Sequence, residues 1–193
     1  MSDYDHLIHS MQNQEKILIE GRKYAGGANA DFGFYSLWLP DLPNILQTLT
    51  EGSVVMDVGC GTGNAAAGMA QFAPNLDIYG CTLSYYPPVA GSNYLLKDRI
   101  YICPARDIPK QFDLAVSIGA LEVSGTVLED GPILLDLLNP GGIAMFAPTV
   151  PTDAAISSFN TLLQIGRRSG FASTMSITKK YPHPVYTFMK PLE

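Results

Sequence analysis

Between Val54 and Gly63 the chain reads Val-Val-Met-Asp-Val-Gly-Cys-Gly-Thr-Gly, an apolar run that ends in an acid and then places a glycine at every second position. The β-branched run predicts a strand over residues 53–58, and Asn64 with the alanines behind it predicts a helix over 63–73, stopped by Pro74. Strand, glycine turn and helix N-terminus are the means by which α/β proteins hold an adenosyl ligand. Glycine lets backbone come close, and the first N–H groups of the helix meet the ligand's polar end. Gly59, Gly61 and Gly63, with Cys60 between them and Asp57 two residues ahead, are therefore the first candidates for a binding site.

The elements that must position this turn alternate along the chain. Strands are predicted over 76–81, 99–103, 112–117 and 143–147, with the continuous apolar run Phe112-Asp113-Leu114-Ala115-Val116-Ser117 suited to burial on both faces. Gly131-Pro132 is read as the start of a helix capped by Asp130 and ended by Asn139-Pro140-Gly141-Gly142, and a further helix is read over 153–168. Two late strands, near 172–179 and 184–190, flank Pro182-His183-Pro184 and form a hairpin, with His183 expected at the end of the sheet away from the site. Repeated βα units imply a doubly wound, mostly parallel sheet with an antiparallel strand from that hairpin.

Ahead of this core, residues 5–20 read as an amphipathic helix, and Asp41 with Pro43 opens a short helix over 42–50. The stretch between them carries Tyr24, Phe32, Phe34, Tyr35 and Trp38 among glycines, and its spacing fits no regular element. It is either a loop whose aromatic residues fill the core or a lid over a cleft.

At 193 residues and 47% apolar, the chain suits one domain, with 1–51 a cap segment and 52–193 the core. A net charge of −6 disfavours a phosphate-backbone partner, and the basic pairs Arg22-Lys23, Arg167-Arg168 and Lys179-Lys180 are scattered. No apolar run is long enough to span a bilayer and the N-terminus lacks the basic start of a secretory signal, so a cytoplasmic protein without a membrane partner is the default expectation. Cys60, Cys81 and Cys103 suit reduced thiols; all three fall at strand ends, where small residues fit, and no metal is expected there.

The turn resembles motif I of the class I S-adenosylmethionine-dependent methyltransferases, hh-D-hG-C-G-T-G, and five later stretches extend the likeness to the C-terminus. Phe112–Ser117 resembles the fourth-strand motif, with Leu121-Glu122-Val123 at the short turn that follows it. Leu138–Gly142 resembles the L-x-P-G-G before strand five, Ser169-Gly170-Phe171 the opening of strand six, and Phe188–Pro191 the family's common ending. The resemblance implies a seven-stranded sheet ordered 3-2-1-4-5-7-6 with helices on both faces. It also implies S-adenosyl-L-methionine as cofactor and S-adenosyl-L-homocysteine as product.

Carried onto this sequence, the family pattern puts Asp57 against the cofactor's ammonium, Thr82 and Leu83 beside ribose and adenine, Ala105 and Arg106 at the adenine edge, and Ser117 and Ile118 along the methionine side. Thr82 stands where most members have an acid for the ribose hydroxyls. A threonine offers one hydroxyl and no charge-assisted bidentate contact, so weaker anchoring is expected. Gly-x-Thr-Leu-Ser at this place resembles the cyclopropane-synthase branch of the superfamily, and it counts against a nicotinamide reading, as does Asn64 at the sixth position of the glycine motif.

Glu122 is the candidate general base, while Tyr24, Tyr35, Trp38, Tyr85 and Tyr86 are candidates for an acceptor pocket. Pro87-Pro88 and Gly91 should shorten the helix after strand two. With no D-P-P-Y element and an acidic composition, the expected acceptor is a small molecule and not a nucleic acid. The alternative is a degenerate member that serves as a binding partner or uses the cofactor for another reaction.

Overall fold

The computed structural model of the chain describes residues 30–83, 99–179 and 182–192. The expected helix over 5–20, Tyr24, and the loop with Tyr85 and Tyr86 lie outside the described residues. Among the described residues two short helices come first, α1 (Phe32–Trp38) and α2 (Leu42–Thr48), followed by β1 (Val54–Val58), α3 (Asn64–Phe72), β2 (Asp77–Thr82) and β3 (Ile100–Ile102). A 3-10 turn at Ala105–Asp107 leads to β4 (Phe112–Ile118), α4 (Ala120–Ser124), α5 (Val127–Asp136), β5 (Leu138–Ala147), α6 (Asp153–Arg168), β6 (Ala172–Ile177) and β7 (Pro184–Met189).

The sheet runs β3-β2-β1-β4-β5-β7-β6, as expected. Strands β1 to β5 pair in parallel, and β7 is antiparallel to both β5 and β6. Alternation along the strands divides the core into two layers. Val55, Ile78, Leu114 and Val116 face Tyr35, Leu39, Leu42, Leu46 and Met69 of the first three helices and their connections. Met56, Ala115, Phe146 and Phe188 face Leu134, Phe159 and Leu162 of α5 and α6. Leu39, Leu42 and Leu46 are almost wholly buried, and each such side chain contributes about 1.5–3 kcal/mol by leaving water.

Four expectations need correction. The aromatic stretch is not irregular where it is described. Asp31 accepts a hydrogen bond from the Phe34 N–H at 2.8 Å and starts α1, whose Phe32 and Tyr35, with Leu39 at its C-cap, turn one stripe toward α3 and the sheet. Second, the α5 helix begins at Val127, four residues before Gly131, so Asp130 lies inside it and caps nothing. Pro132 sits in its second turn, and Gly131 brings α6 close, because a Cβ there would stand 2.7 Å from Leu162 Cδ2.

Third, Asn139-Pro140-Gly141-Gly142 is not a turn ahead of the strand but part of β5. A register shift against Phe112–Leu114 absorbs it, with Gly141 at φ +76°. Fourth, His183 is at the opposite end of the sheet from the one expected. Phe146 pairs with Tyr186 and Ile143 with Met189, so β7 starts beside the carboxyl end of β5. The β6–β7 connection therefore lies with the exits of β1 and β4, at the end where open α/β sheets bind ligands.

Candidate functional site

Asp57 is fully buried at the end of β1, on the same sheet face as Val55. The Tyr35 hydroxyl donates to its Oδ1 at 2.7 Å, while Oδ2 has no hydrogen-bond partner among the described residues. Burial pushes the carboxyl up to about 7, against the lowering effect of the Tyr35 hydrogen bond. The same burial, with the Asp57 charge beside it, pushes the Tyr35 phenol well above its ordinary value, so Tyr35 keeps its proton and acts as a donor.

The chain then turns three times through positive φ, at Gly59 (+81°), Gly61 (+55°) and Gly63 (+81°), conformations that side-chain-bearing residues rarely adopt. The N–H groups of Gly59 and Cys60 both donate to the Cys81 carbonyl at 2.9 Å, which fastens the turn to β2, and Gly63 N–H closes it onto the Cys60 carbonyl at 2.8 Å. Cys60 Sγ fills the space over Gly80, where a Cβ would stand 2.6 Å away. All three cysteines are free; burial pushes Cys81 up to about 12 and raises Cys60 and Cys103, so none is a ready thiolate.

Around this turn the other expected residues occupy the exits of neighbouring strands. Thr82, buried, ends β2 and Leu83 follows it, half-buried. Ala105 is buried in the 3-10 turn after β3. Arg106, beside it, points to α5, with its guanidinium 3.0 Å from Glu129 and 3.7 Å from Asp130. Ser117 and Ile118 end β4; Ser117 is buried and its hydroxyl has no partner among the described residues.

Glu122, in α4 immediately after β4, holds the exit of β5. Its Oε1 accepts from the Thr149 N–H at 2.6 Å and from the Thr149 hydroxyl at 3.3 Å. Burial pushes this carboxyl up to about 7 against the lowering effect of nearby backbone N–H groups, and Oε2 is buried without a hydrogen-bond partner among the described residues.

Two contacts had no counterpart in the sequence reading. One is Tyr35 on Asp57, across 22 positions. The other is Trp38 with His183. His183 Nε2–H donates to the Trp38 carbonyl at 2.8 Å, Nδ1 is 3.0 Å from the Thr178 hydroxyl, and the Trp38 and His183 rings lie 4.1 Å apart. The available signal was the spacing of Phe32, Tyr35 and Leu39 behind Asp31, an N-cap followed by one helical stripe. Tyr35 and Trp38 thus do share an element, which reaches from the exit of β1 to the β6–β7 hairpin.

No protein-family model and no curated protein matches the sequence. Solved structures match it in shape. Magnesium protoporphyrin IX methyltransferase from Synechocystis PCC 6803, with bound SAM, is 17% identical, with 98% of each chain covered and a TM-score of 0.61. The plantazolicin methyltransferase BpumL, in complex with SAH and a triazolic desmethyl analogue, is 10% identical; 98% of this chain and 96% of that one are covered, with a TM-score of 0.65. A Clostridium thermocellum protein assigned as an rRNA-methylase is 17% identical over 79% of this chain and 97% of that one, with a TM-score of 0.59. The chain therefore has the fold of the class I S-adenosylmethionine-dependent methyltransferases. The acceptors printed in those names range from a magnesium porphyrin to rRNA, so likeness of fold selects none of them.

Proposed function

We propose that the chain is an S-adenosylmethionine-dependent methyltransferase that transfers the methyl group to a small-molecule acceptor. The observation that carries this reading is the buried Oδ2 of Asp57, without a hydrogen-bond partner among the described residues, at the head of a turn whose glycines all have positive φ. A buried carboxylate oxygen without a partner is costly, and a ligand ammonium is the group that satisfies it. The residues present thus fit the cofactor.

Asp57 would take the ammonium, and the backbone of Gly59–Gly63 would lie along the cofactor. Thr82 and Leu83 would flank ribose and adenine, Ala105 with the backbone of Arg106 the adenine edge, and Ser117 and Ile118 the methionine side. The bound cofactor supplies an electrophilic sulfonium methyl. The chain's own task is to hold an acceptor atom in line with it, because placement accounts for much of the acceleration in such displacements. Glu122 is the candidate proton acceptor, its carboxyl poised near 7 at the exit of β4. Glu122→Gln should lower turnover by about 10²-fold or more, with S-adenosylhomocysteine affinity unchanged. Unchanged turnover would restrict this acid to holding Thr149.

A small acceptor is favoured over RNA by charge. Arg99 pairs with Asp77 at 3.1 Å, Arg106 with Glu129, and Arg167 with the Ser173 carbonyl, on a chain of net charge −6. Among the described residues no helix is long and apolar enough to cross a membrane.

Calorimetric titration with S-adenosylhomocysteine tests the reading: micromolar binding supports it, and no heat at millimolar ligand overturns it. Thr82→Ala should weaken that binding by roughly three- to tenfold, the worth of one neutral hydrogen bond. A parent-like affinity would remove Thr82 from the site. The second reading, a scaffold that keeps the fold without the transfer, draws on Thr82 in place of an acid, and the same titration decides it.

A further inference from the structure

We infer that Tyr35 is a positioning residue through which cofactor occupancy and the docking of helix α1 across the site are coupled. The inference rests on the methyltransferase reading and adds a part to it. Three observations meet in one seven-residue helix. At its centre the Tyr35 hydroxyl is spent on Asp57 Oδ1, leaving Oδ2 of the same carboxyl without a partner among the described residues. At its C-terminal end Trp38 is held by His183 of the β6–β7 hairpin, through both its carbonyl and its ring. Along its flank Phe32 lies so close to α3 that a Cβ at Gly68 would stand 2.5 Å from Phe32 Cβ.

A phenol donates more strongly to a carboxylate than to a neutral carboxylic acid. An ammonium at Oδ2 favours the carboxylate, and so strengthens the bond from Tyr35 at Oδ1. By linkage, a docked Tyr35 stabilises the charge that the ammonium needs. Among the described residues, the remaining titratable groups against Asp57 are the thiols of Cys60 in the glycine turn and Cys81 on β2, and burial keeps both protonated. Through Trp38 the same tightening reaches the hairpin beside the exit of β5, where an acceptor would enter. Cofactor and acceptor ends of the crevice are in this way joined by one rigid helix, without a change of fold.

Trp38 is the only tryptophan in the chain, so its fluorescence reports this helix. S-adenosylhomocysteine is titrated into the parent protein, Tyr35→Phe and Gly68→Ala between pH 6 and 8.5, with calorimetry and tryptophan emission read in parallel. Tyr35→Phe keeps the ring in the core and removes the donor, while Gly68→Ala presses on Phe32 from α3, at a position that is not itself proposed to touch the cofactor.

The expected result is an emission change on binding in the parent, at the midpoint given by calorimetry. Affinity should be about tenfold weaker in Tyr35→Phe at pH 7, with its rise displaced to higher pH. Gly68→Ala should weaken affinity and reduce the emission change, with the pH profile of the parent. Parent-like affinity and pH profile in Tyr35→Phe, or parent-like affinity in Gly68→Ala, overturns the coupling alone. Failure of the parent to bind S-adenosylhomocysteine overturns both the coupling and the methyltransferase reading.

Discussion

Asp57→Asn is expected to abolish cofactor binding and at the same time to make the ligand-free protein more stable above neutral pH. The folded-state carboxyl titrates near 7, pushed there first by burial, whereas an exposed aspartate titrates near 3.8. Between these values the folded chain holds a proton that the unfolded chain has already lost. Stability from this group is therefore fully present below about pH 4 and falls as pH rises to about 7. Three pK units correspond to about 4 kcal/mol of penalty once the group is charged in both states.

Asparagine stays neutral at every pH and its oxygen still accepts from Tyr35, so the penalty is removed. Its amide nitrogen is then buried in place of Oδ2, at a cost of about 1–3 kcal/mol. The balance is a gain on the order of 2 kcal/mol at pH 8, or roughly 4–8 °C in Tm for a domain of this size. Thermal unfolding scans from pH 4.5 to 8.5 check it: the variant should melt above the parent at high pH, and the order should reverse at low pH, where the Asp57 penalty drops below the cost of the buried amide. Calorimetry with S-adenosylhomocysteine should show no binding to the variant. A variant that binds like the parent removes Asp57 from the cofactor site, and one that melts below the parent at pH 8 shows that its buried charge carries no such penalty. A site that is stabilised by deleting its central charge is one where strain is held for a ligand.

Much of this was legible in the sequence because it is local. A β-branched run ending at Asp57, a glycine at every second position and an alanine-rich helix behind it are set by neighbours in the chain. So are the βα alternation and the closing hairpin. What was not legible depended on distant packing. A seven-residue helix displays only one short stripe, here Phe32, Tyr35 and Leu39 behind Asp31, and that stripe was masked by the aromatic residues and glycines around it. Proline at 132 reads as a helix start, yet α6 and the 3-10 turn pack against α5 and extend it back to Val127. The position of His183 required knowing which strand the hairpin joins, because pairing of β7 with β5 alone decides which end its turn occupies. The residues expected to form the site do fall at strand exits, but the bond from Tyr35 to Asp57 appears only when α1 is docked.

Gly59→Ala should have the second large effect, and it tests the turn and not the charge. Gly59 has φ +81°, and a Cβ there would lie 2.1 Å from Ala120 Cβ, closer than any two carbons can approach without a bond. Ala120 opens α4 directly after Gly119, itself at φ +77°, whose own Cβ would meet the Thr149 hydroxyl at 2.6 Å. The turn after β1, the start of α4 and the exit of β5 are thus stacked at glycine distance, with Glu122 holding the last of them. An alanine at 59 costs about 1–2 kcal/mol for its left-handed backbone and about 1–3 kcal/mol for overpacking. Relief can come only by moving the turn or α4. The expected result is a Tm lower by on the order of 10 °C and cofactor affinity lower by at least about 10²-fold. Adding Ala120→Gly opens the steric part alone. The double variant should recover more stability than the sum of the single changes allows, while the backbone cost and part of the affinity loss remain. Strict additivity of the two changes would mean that β1 and α4 are not in contact at this point, and the crevice would then have a different floor.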